Sequence, residues 1–426
     1  MARILFISEA MTLTHVVRSH VLGSHLAQQG HAVTLAAGKY FDRLFKTFPG
    51  ERRDLRSSRH PADFRTILGK GGVIFDYEVL SGFLSEELQL FKELKPDLVV
   101  GDLRPSLAVS TRLAALPLIT ITNAYWSRHL RGQYFPPPCL DAVAGLNLGR
   151  LGGPAVLMAL KLLNAAILPG VLKAQGAGLN RLRLEHRLDP FEHYLDGFTF
   201  GDEICFTDAQ ELFPLQNAPA NHNFIGPISW SPSVNLPPWW EEVRTRRPLI
   251  YVNLGSSGDA RALALVLDTL AGFDCTVAAA SSGTPLKLGR SSNIHLADYL
   301  PGDEILKSAT LAICNGGSPA CYQALSKGVP IIAIPTNMDQ LLFSHCLQKH
   351  GFGISLRSDT LRPSQIRSAI SRLLRNGARD RYRTLAAHLS ACEPERQFQR
   401  IAQRLLSSST LTAPENSEEW RKQHAG

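Results

Sequence analysis

The sequence predicts an α/β protein built from two doubly wound parallel sheets. Three observations carry this. Short apolar runs alternate with helical stretches in both halves of the chain. The 426 residues suit two domains at the usual size. A Pro- and Ser-rich stretch at residues 226–239, GPISWSPSVNLPPW, separates the halves as linker material would. Composition agrees: 44% hydrophobic and 19% charged residues exclude a wholly disordered chain and supply apolar material for two cores.

Residues 3–8 (RILFIS) read as the first buried strand. A loop through Thr14 leads to a helix over about 15–29, which Gly30 ends as a C-terminal glycine does. The next strand is 31–37 (HAVTLAA). Strand, helix, strand implies a right-handed crossover and a parallel sheet. The pattern returns with strand 97–100, helix 106–115 and strand 118–122. Residues 141–188 carry long helical signals, interrupted by Lys161, Asn164, Pro169 and Gly170. They predict a helical insertion packed on the first half rather than a membrane span, which wants about 20 mainly apolar residues. Partly exposed amphipathic helices there give either a greasy acceptor cleft or a contact with a membrane surface. The second half opens with strand 248–254, then GSSGD and a helix through Leu270. Strand 275–280, strand 311–314, helix 320–327 and strand 329–334 follow. The polar tail beyond Leu411 reads as frayed.

Charge and cysteine usage narrow the function classes. The net charge of +8 is diffuse, and no nucleic-acid partner is expected from it. The 7 cysteines form no CxxC pair, so neither a zinc site nor a redox motif is indicated. An odd, scattered set suits a reducing compartment. The N-terminal apolar run breaks too early at Ser8 and Glu9 for a signal peptide. A cytoplasmic location is therefore expected, with the inner membrane face as a peripheral contact. GxGxxG after the first strand, GxxxxGK[ST] and HExxH are all missing. Gly316–Ala320 nearly matches the GxSxG nucleophile elbow but lacks the last glycine.

The strongest constellation is Asn315-Gly316-Gly317-Ser318, after one strand and opening a helix. Glycines there let a ligand approach the backbone, and the helix start attracts a phosphate. Gly255-Ser256-Ser257-Gly258 has the same setting. The plain alternative is a pair of tight turns. His15 follows strand one and Asp102 follows another strand, so the two would meet at the carboxyl ends of the sheet, where such sheets bind ligands. An imidazole suits base work near neutral pH, and a carboxylate on its other nitrogen would fix its tautomer. His20 and His25, at i+5 and i+10 from His15, do not make one metal-binding face. Arg104 stands close to Asp102 in sequence as a simple ion-pair partner. Asn123, Tyr125 and Trp126 end a strand, where they would line a cleft or fill the core.

The stretch from Cys314 to Gln340, CNGGSPACYQALSKGVPIIAIPTNMDQ, resembles the donor-binding signature of family 1 glycosyltransferases, especially the bacterial macrolide-type branch. Its pattern runs HGGxGTxxEALxxGVPxxxxPxxxDQ. Gly316, Gly317, Ala324, Leu325, Gly328, Val329, Pro330, Pro335, Asp339 and Gln340 match it at the right spacing. The resemblance covers nearly the whole chain: His15 matches the family's base, Asp102 its partner, 223–227 (NFIGP) the approach to the linker, and Tyr299-Leu300-Pro301 the segment that meets the nucleotide base. It implies the GT-B fold, two facing Rossmann-like domains with an interdomain cleft. Residues 1–228 would bind the acceptor, with the helical insertion at about 141–188. Residues 229–245 would form the linker and 246–395 the domain that binds the nucleotide sugar. Residues 396–426 would supply a helix crossing back to the first domain, plus the tail. Departures from the pattern include Asn315 for His, Ala320 for Thr and Gln323 for Glu. Gln323 cannot accept hydrogen bonds as the carboxylate does, and Ser318 would compensate for the hydroxyl missing at Ala320.

The implied activity is an inverting transfer of a sugar from a UDP- or dTDP-sugar to a hydroxyl of a hydrophobic small molecule or lipid. His15 is the expected base and Asp102 its orienting partner. Ser256, Ser257, Tyr299, Leu300, Asn315, Gly316, Gly317, Ser318, Gln323, Asp339 and Gln340 are the expected donor contacts, with Asp339 and Gln340 on the sugar hydroxyls and helix capping by Asp339 as the plain alternative. No metal or other cofactor is expected, since no acidic DxD motif occurs. The alternatives are a nucleotide-sugar epimerase, which needs no external acceptor, and a non-catalytic nucleotide-binding relative.

Overall fold

The computed structural model describes residues 1–45, 47–61, 67, 72–137, 154–255, 258–283, 286, 291–375 and 379–409. Among these, the first half carries a seven-stranded sheet. Its strands are β1 (Arg3–Ser8), β2 (Ala32–Ala37), β3 (Glu51–Asp54), β4 (Leu98–Asp102), β5 (Leu118–Thr122), β6 (Glu203–Phe206) and β7 (His222–Phe224). The order is β3-β2-β1-β4-β5-β6-β7 and every pairing is parallel. The second half carries β8 (Leu249–Asn253), β9 (Thr276–Ala280), β10 (Ile294–Ala297), β11 (Leu311–Cys314), β12 (Ile331–Ala333) and β13 (Gly353–Ser355), in the order β10-β9-β8-β11-β12-β13, again all parallel. Both sheets reverse direction beside their first strand, between β1 and β4 and between β8 and β11. The central strands are apolar on both faces because helices cover both, so β4 is buried at every residue.

The helices that matter here are α1 (Leu13–Gln28), α2 (Tyr77–Leu94), α3 (Leu107–Leu113), α4 (Pro154–Glu185), α5 (Ala260–Ala271), α6 (Ser318–Leu325), α7 (Met338–Lys349) and α8 (Pro394–Ser409). α8 comes last in the chain yet packs on the first sheet. Phe398, Ile401 and Ala402 share a core with Ile4, Phe6, Leu22 and Leu26, and the Phe6 and Phe398 rings lie 5.9 Å apart. A second core joins the halves: Tyr125 and Phe213 of the first meet Phe343 of the second, with ring centroids 6.0 and 5.4 Å away, and Tyr322 packs on Phe343 at 5.1 Å.

One local reading is corrected. The breaks seen at Pro169 and Gly170 do not divide the insertion: α4 runs through both. Proline removes one N–H and leaves the carbonyl four residues earlier, that of Ala165, without its helical partner. Ala165 is exposed, so water can take that bond. The part of the insertion at 141–153 and the tail from 410 lie outside the described residues. Of the described helices, none is long and apolar enough to cross a membrane.

Candidate active site

A cavity of about 490 Å³ lies between the two halves, and its walls come from both. On the first half, β1 and β4 are neighbours with Ser8 opposite Asp102. The loop after β1 therefore meets the end of β4 where the strand order reverses. His15 stands in the first turn of α1, and its Nδ1 lies 2.7 Å from Oδ1 of the fully buried Asp102. His15 itself reaches the cavity, with its side chain 16% exposed.

Arg18 is one helical turn further along the same face of α1 and was missed from the sequence. Its Nε and Nη2 donate to the two Asp102 oxygens at 2.7 and 2.6 Å. Nη1 donates to Asn123 Oδ1 at 2.8 Å and to Thr207 Oγ1 at 3.0 Å. Arg18 thus ties together the ends of β1, β4, β5 and β6. Burial opposes its charge, but the charge and hydrogen bonds of Asp102 outweigh it and hold the guanidinium above its ordinary range. Arg18 Nη2 also lies 2.8 Å from His15 Nδ1. Two N–H donors cannot satisfy each other. With Nδ1–H given to the carboxylate, Arg18 gives its proton to the same carboxylate, and His15 Nε2 keeps its lone pair.

Arg104 is not the ion-pair partner of Asp102. Its guanidinium is buried between Glu9 (2.9 Å) and Glu87 (2.7 Å), because the chain turns away after β4 and carries it beneath the loop at 57–59. His20 packs against Phe45 and Phe48, and His25 bonds Gln399, so neither joins the site. Asn123 and Trp126 line the cavity, whereas Tyr125 is buried in the core between the halves.

On the second half, β11 is the neighbour of β8, with Cys314 opposite Asn253, so the loops after these strands abut at the other reversal point. Gly316 has φ +78, and an added Cβ there would press on Ala333 and Ser344. Gly317 caps α6, and its N–H bonds Asn315 Oδ1 at 3.0 Å. That N–H is therefore engaged by Asn315 rather than turned to a ligand. The third glycine of the resembled pattern is Pro319 here, which has no N–H. The anion-facing donors of this helix start are reduced to the N–H groups of Ser318 and Ala320. The Ser318 hydroxyl lines the cavity and lies 3.5 Å from Asn123 Nδ2 across the interface.

Gln323 shows why an amide sits where the pattern has a carboxylate. Its Nε2 donates to the Trp230 carbonyl at 3.0 Å and to Ser231 Oγ at 2.8 Å, both in the linker. A carbonyl only accepts, so the NH₂ must face it, leaving Oε1 beside Gly302 at the cavity wall. Asp339 does not cap α7; Asn337 does, accepting from Gln340 N at 3.1 Å. Asp339 Oδ1 instead accepts from Tyr125 Oη at 3.0 Å and Trp126 Nε1 at 2.9 Å, across the cleft. Gln340 is buried, and Oε1 takes the N–H and hydroxyl of Thr336, both at 2.9 Å. Tyr299 accepts from Arg43 of the first half at 3.2 Å, and Leu300 is buried beside it. One cavity is thus lined by His15, Asp102, Tyr299, Leu300, Asn315, Gly317, Ser318, Gln323, Asp339 and Gln340; Gly316 supports it from behind. Ser256 and Ser257 lie outside the described residues. Among the described residues no group of three or more His, Cys, Asp or Glu converges as metal ligands.

Asp208 also escaped sequence reading. It is fully buried after β6 and accepts from Ala124 N (2.6 Å), Asn123 Nδ2 (3.1 Å) and, from the other half, Tyr322 Oη (3.1 Å). Burial pushes its carboxyl up to about 6, and these three donors hold it back from going higher.

Comparison with known proteins places this geometry. The family described as erythromycin biosynthesis protein CIII-like, C-terminal domain, matches residues 264–406. A PGL/p-HBAD biosynthesis glycosyltransferase of Mycobacterium tuberculosis (strain ATCC 25177 / H37Ra) is 37% identical over 376 residues, 87% of this chain and 85% of that one. A PGL/p-HBAD biosynthesis rhamnosyltransferase of Mycobacterium bovis (strain BCG / Pasteur 1173P2) is 36% identical over 389 residues, 91% and 83% of the two chains. The crystal structure of the glycotransferase of kitacinnamycin superposes with a TM-score of 0.69 at 17% identity, covering 95% of this chain and 99% of that one. Two facing parallel sheets, the cleft between them and relatives of this closeness make the chain a member of the family 1 glycosyltransferases of GT-B fold, a hexosyltransferase.

Proposed function

We propose that this glycosyltransferase moves a hexose from a UDP- or dTDP-sugar to a hydroxyl of a hydrophobic small molecule or lipid, with inversion and without a metal ion. The observation that carries the reading is one cavity that joins the His15–Asp102–Arg18 cluster to the start of α6 and to Asp339. His15 Nε2 takes the proton of the acceptor hydroxyl as its oxygen bonds to the anomeric carbon. The bond from that carbon to the diphosphate oxygen breaks, and the nucleotide diphosphate leaves with the electron pair. Asp102 stabilises the imidazolium, and Arg18 holds Asp102 in place. The N–H groups of Ser318 and Ala320 and the α6 dipole meet the charge that develops on the diphosphate. Gln323 Oε1 offers one acceptor to the ribose. Asp339 keeps Oδ1 on Tyr125 and Trp126 and offers Oδ2 to a sugar hydroxyl. The names of the relatives favour a transferase over an epimerase, and one of them favours rhamnose as the sugar.

Isothermal titration with UDP, dTDP and GDP, each with and without Mg²⁺, tests the donor side. The expected result is metal-independent binding of UDP or dTDP that Gly317→Trp abolishes. Binding that requires Mg²⁺, or that survives Gly317→Trp, overturns it.

A further inference from the structure

Beside the cleft lies a second cavity of about 550 Å³, between α4 and the segment 191–198. The two spaces adjoin: Phe75, Pro105, Tyr194, Gly197 and Phe198 line both. α4 turns one face to the second cavity with Leu168, Leu172, Gly176 and Leu179, at the spacing of a helical stripe. Of the polar side chains in this wall, Lys173 and Glu192 are exposed at its rim, and Gln175, Asn180 and His193 bond to backbone. Gln175 accepts from Ile74 N and donates to the Gly72 carbonyl. Asn180 both donates to and accepts from the Phe191 backbone. His193 Nδ1 accepts from Leu195 N. Phe75, Leu168, Leu172, Leu179 and Phe198 make most of the wall apolar, so burial of methylenes there is favourable. Leu163, Ile167 and Val171 form an exposed stripe at i, i+4 and i+8 on the same helix, one residue from Leu168 and Leu172.

We infer that the second cavity is a tail subsite: the acceptor is an amphiphile whose hydroxyl-bearing head sits at His15 and whose aliphatic chain passes Phe75 and Phe198 into the groove under α4. The inference rests on the transferase reading for the head, and on the groove itself for the tail. A chain that outruns the groove meets the stripe of Leu163, Ile167 and Val171 rather than open water.

The test is a homologous series from 4-methylphenol to 4-octylphenol, read by binding and by transfer. Binding calorimetry reads the tail whether or not sugar moves. Affinity rises by about fourfold for each methylene that enters the groove. Gly176→Leu fills the groove: a Cβ there stands 3.5–3.8 Å from Tyr194, an ordinary contact, and leucine favours the helix. It lowers the 4-octylphenol to 4-methylphenol affinity ratio by 10-fold or more, and Leu172→Gln, which makes the wall polar instead of full, does the same. A flat series in the wild-type protein, or one equally steep in both variants, overturns the tail subsite. Transfer assays separate the two ideas. A steep binding series with no sugar transferred to any member keeps the groove and sinks the transferase chemistry at its head. Transfer at equal kcat/KM along the series keeps the chemistry and sinks the tail subsite.

Discussion

At the scale of single residues, the site depends on one buried charge balance. Asp102 faces no solvent, and its charge is matched by Arg18 in a bidentate pair. Removing Arg18 outright would strand that carboxylate at a cost of about 3–5 kcal/mol. Lysine keeps the charge but not the fork that also reaches Asn123 and Thr207. Arg18→Lys is expected to lower kcat by about 10- to 100-fold through misplacement of Asp102 and His15. Nucleotide affinity, read by titration, stays within about twofold, because among the described residues Arg18 hydrogen-bonds within the first half, to His15, Asp102, Asn123 and Thr207. A loss of nucleotide affinity to match the loss of kcat would mean that Arg18 supports the fold rather than the base. His15 and Asp102 were legible because one opens the helix that follows an apolar strand and the other ends such a strand. Arg18 was within reach of the same reasoning, at i+3 from His15. Gln323 was legible as a departure but not as a linker anchor, since its partners are 92 and 93 residues away.

At the scale of elements, the site is made by two reversal points and one helix start. The apolar strands flanking each reversal were clear in the sequence. The missed strands are edge or near-edge pieces of 3–4 residues: β3 is ERRD, with no apolar residue at all, and β7 and β13 have three residues each. Their parallel partners, not their own pattern, make them strands. The long helix α4 was under-read because Pro169 is a strong breaker in isolation. It is tolerated here at the cost of one hydrogen bond. Pro169→Ala restores that bond and is expected to stabilise the protein by up to about 3 kcal/mol, seen as a higher midpoint of thermal unfolding. An unchanged or lower midpoint would show that the ring's packing on the groove outweighs the bond it removes.

At the scale of the whole molecule, polar bonds across the cleft hold the halves together: Asp208 to Tyr322, and Asp339 to Tyr125 and Trp126. Sequence reading could not find them, because each joins residues more than 110 positions apart. Asp208 makes the assembly pH-dependent with a defined sign. Its folded value of about 6 lies above its ordinary 3.8, so the folded state binds this proton more tightly than the unfolded chain. On this group's account, stability is greatest at about pH 4 and falls as pH rises to about 6. Asp208→Asn is expected to remove that slope, so that the wild-type protein loses ground to the variant between pH 4 and 6 in denaturant titrations. Parallel curves would refute it. The account as a whole stands on His15 as the base of an inverting transfer in this cleft. The decisive measurement is the rate and anomeric configuration of the product formed by wild-type protein and by His15→Ala from a donor sugar of the nucleotide that titration selects. The account predicts an inverted glycoside from the wild-type protein and a kcat lowered by about 10²–10⁴-fold in the variant, with nucleotide binding intact. A retained configuration, or a variant as fast as the wild type, would contradict it.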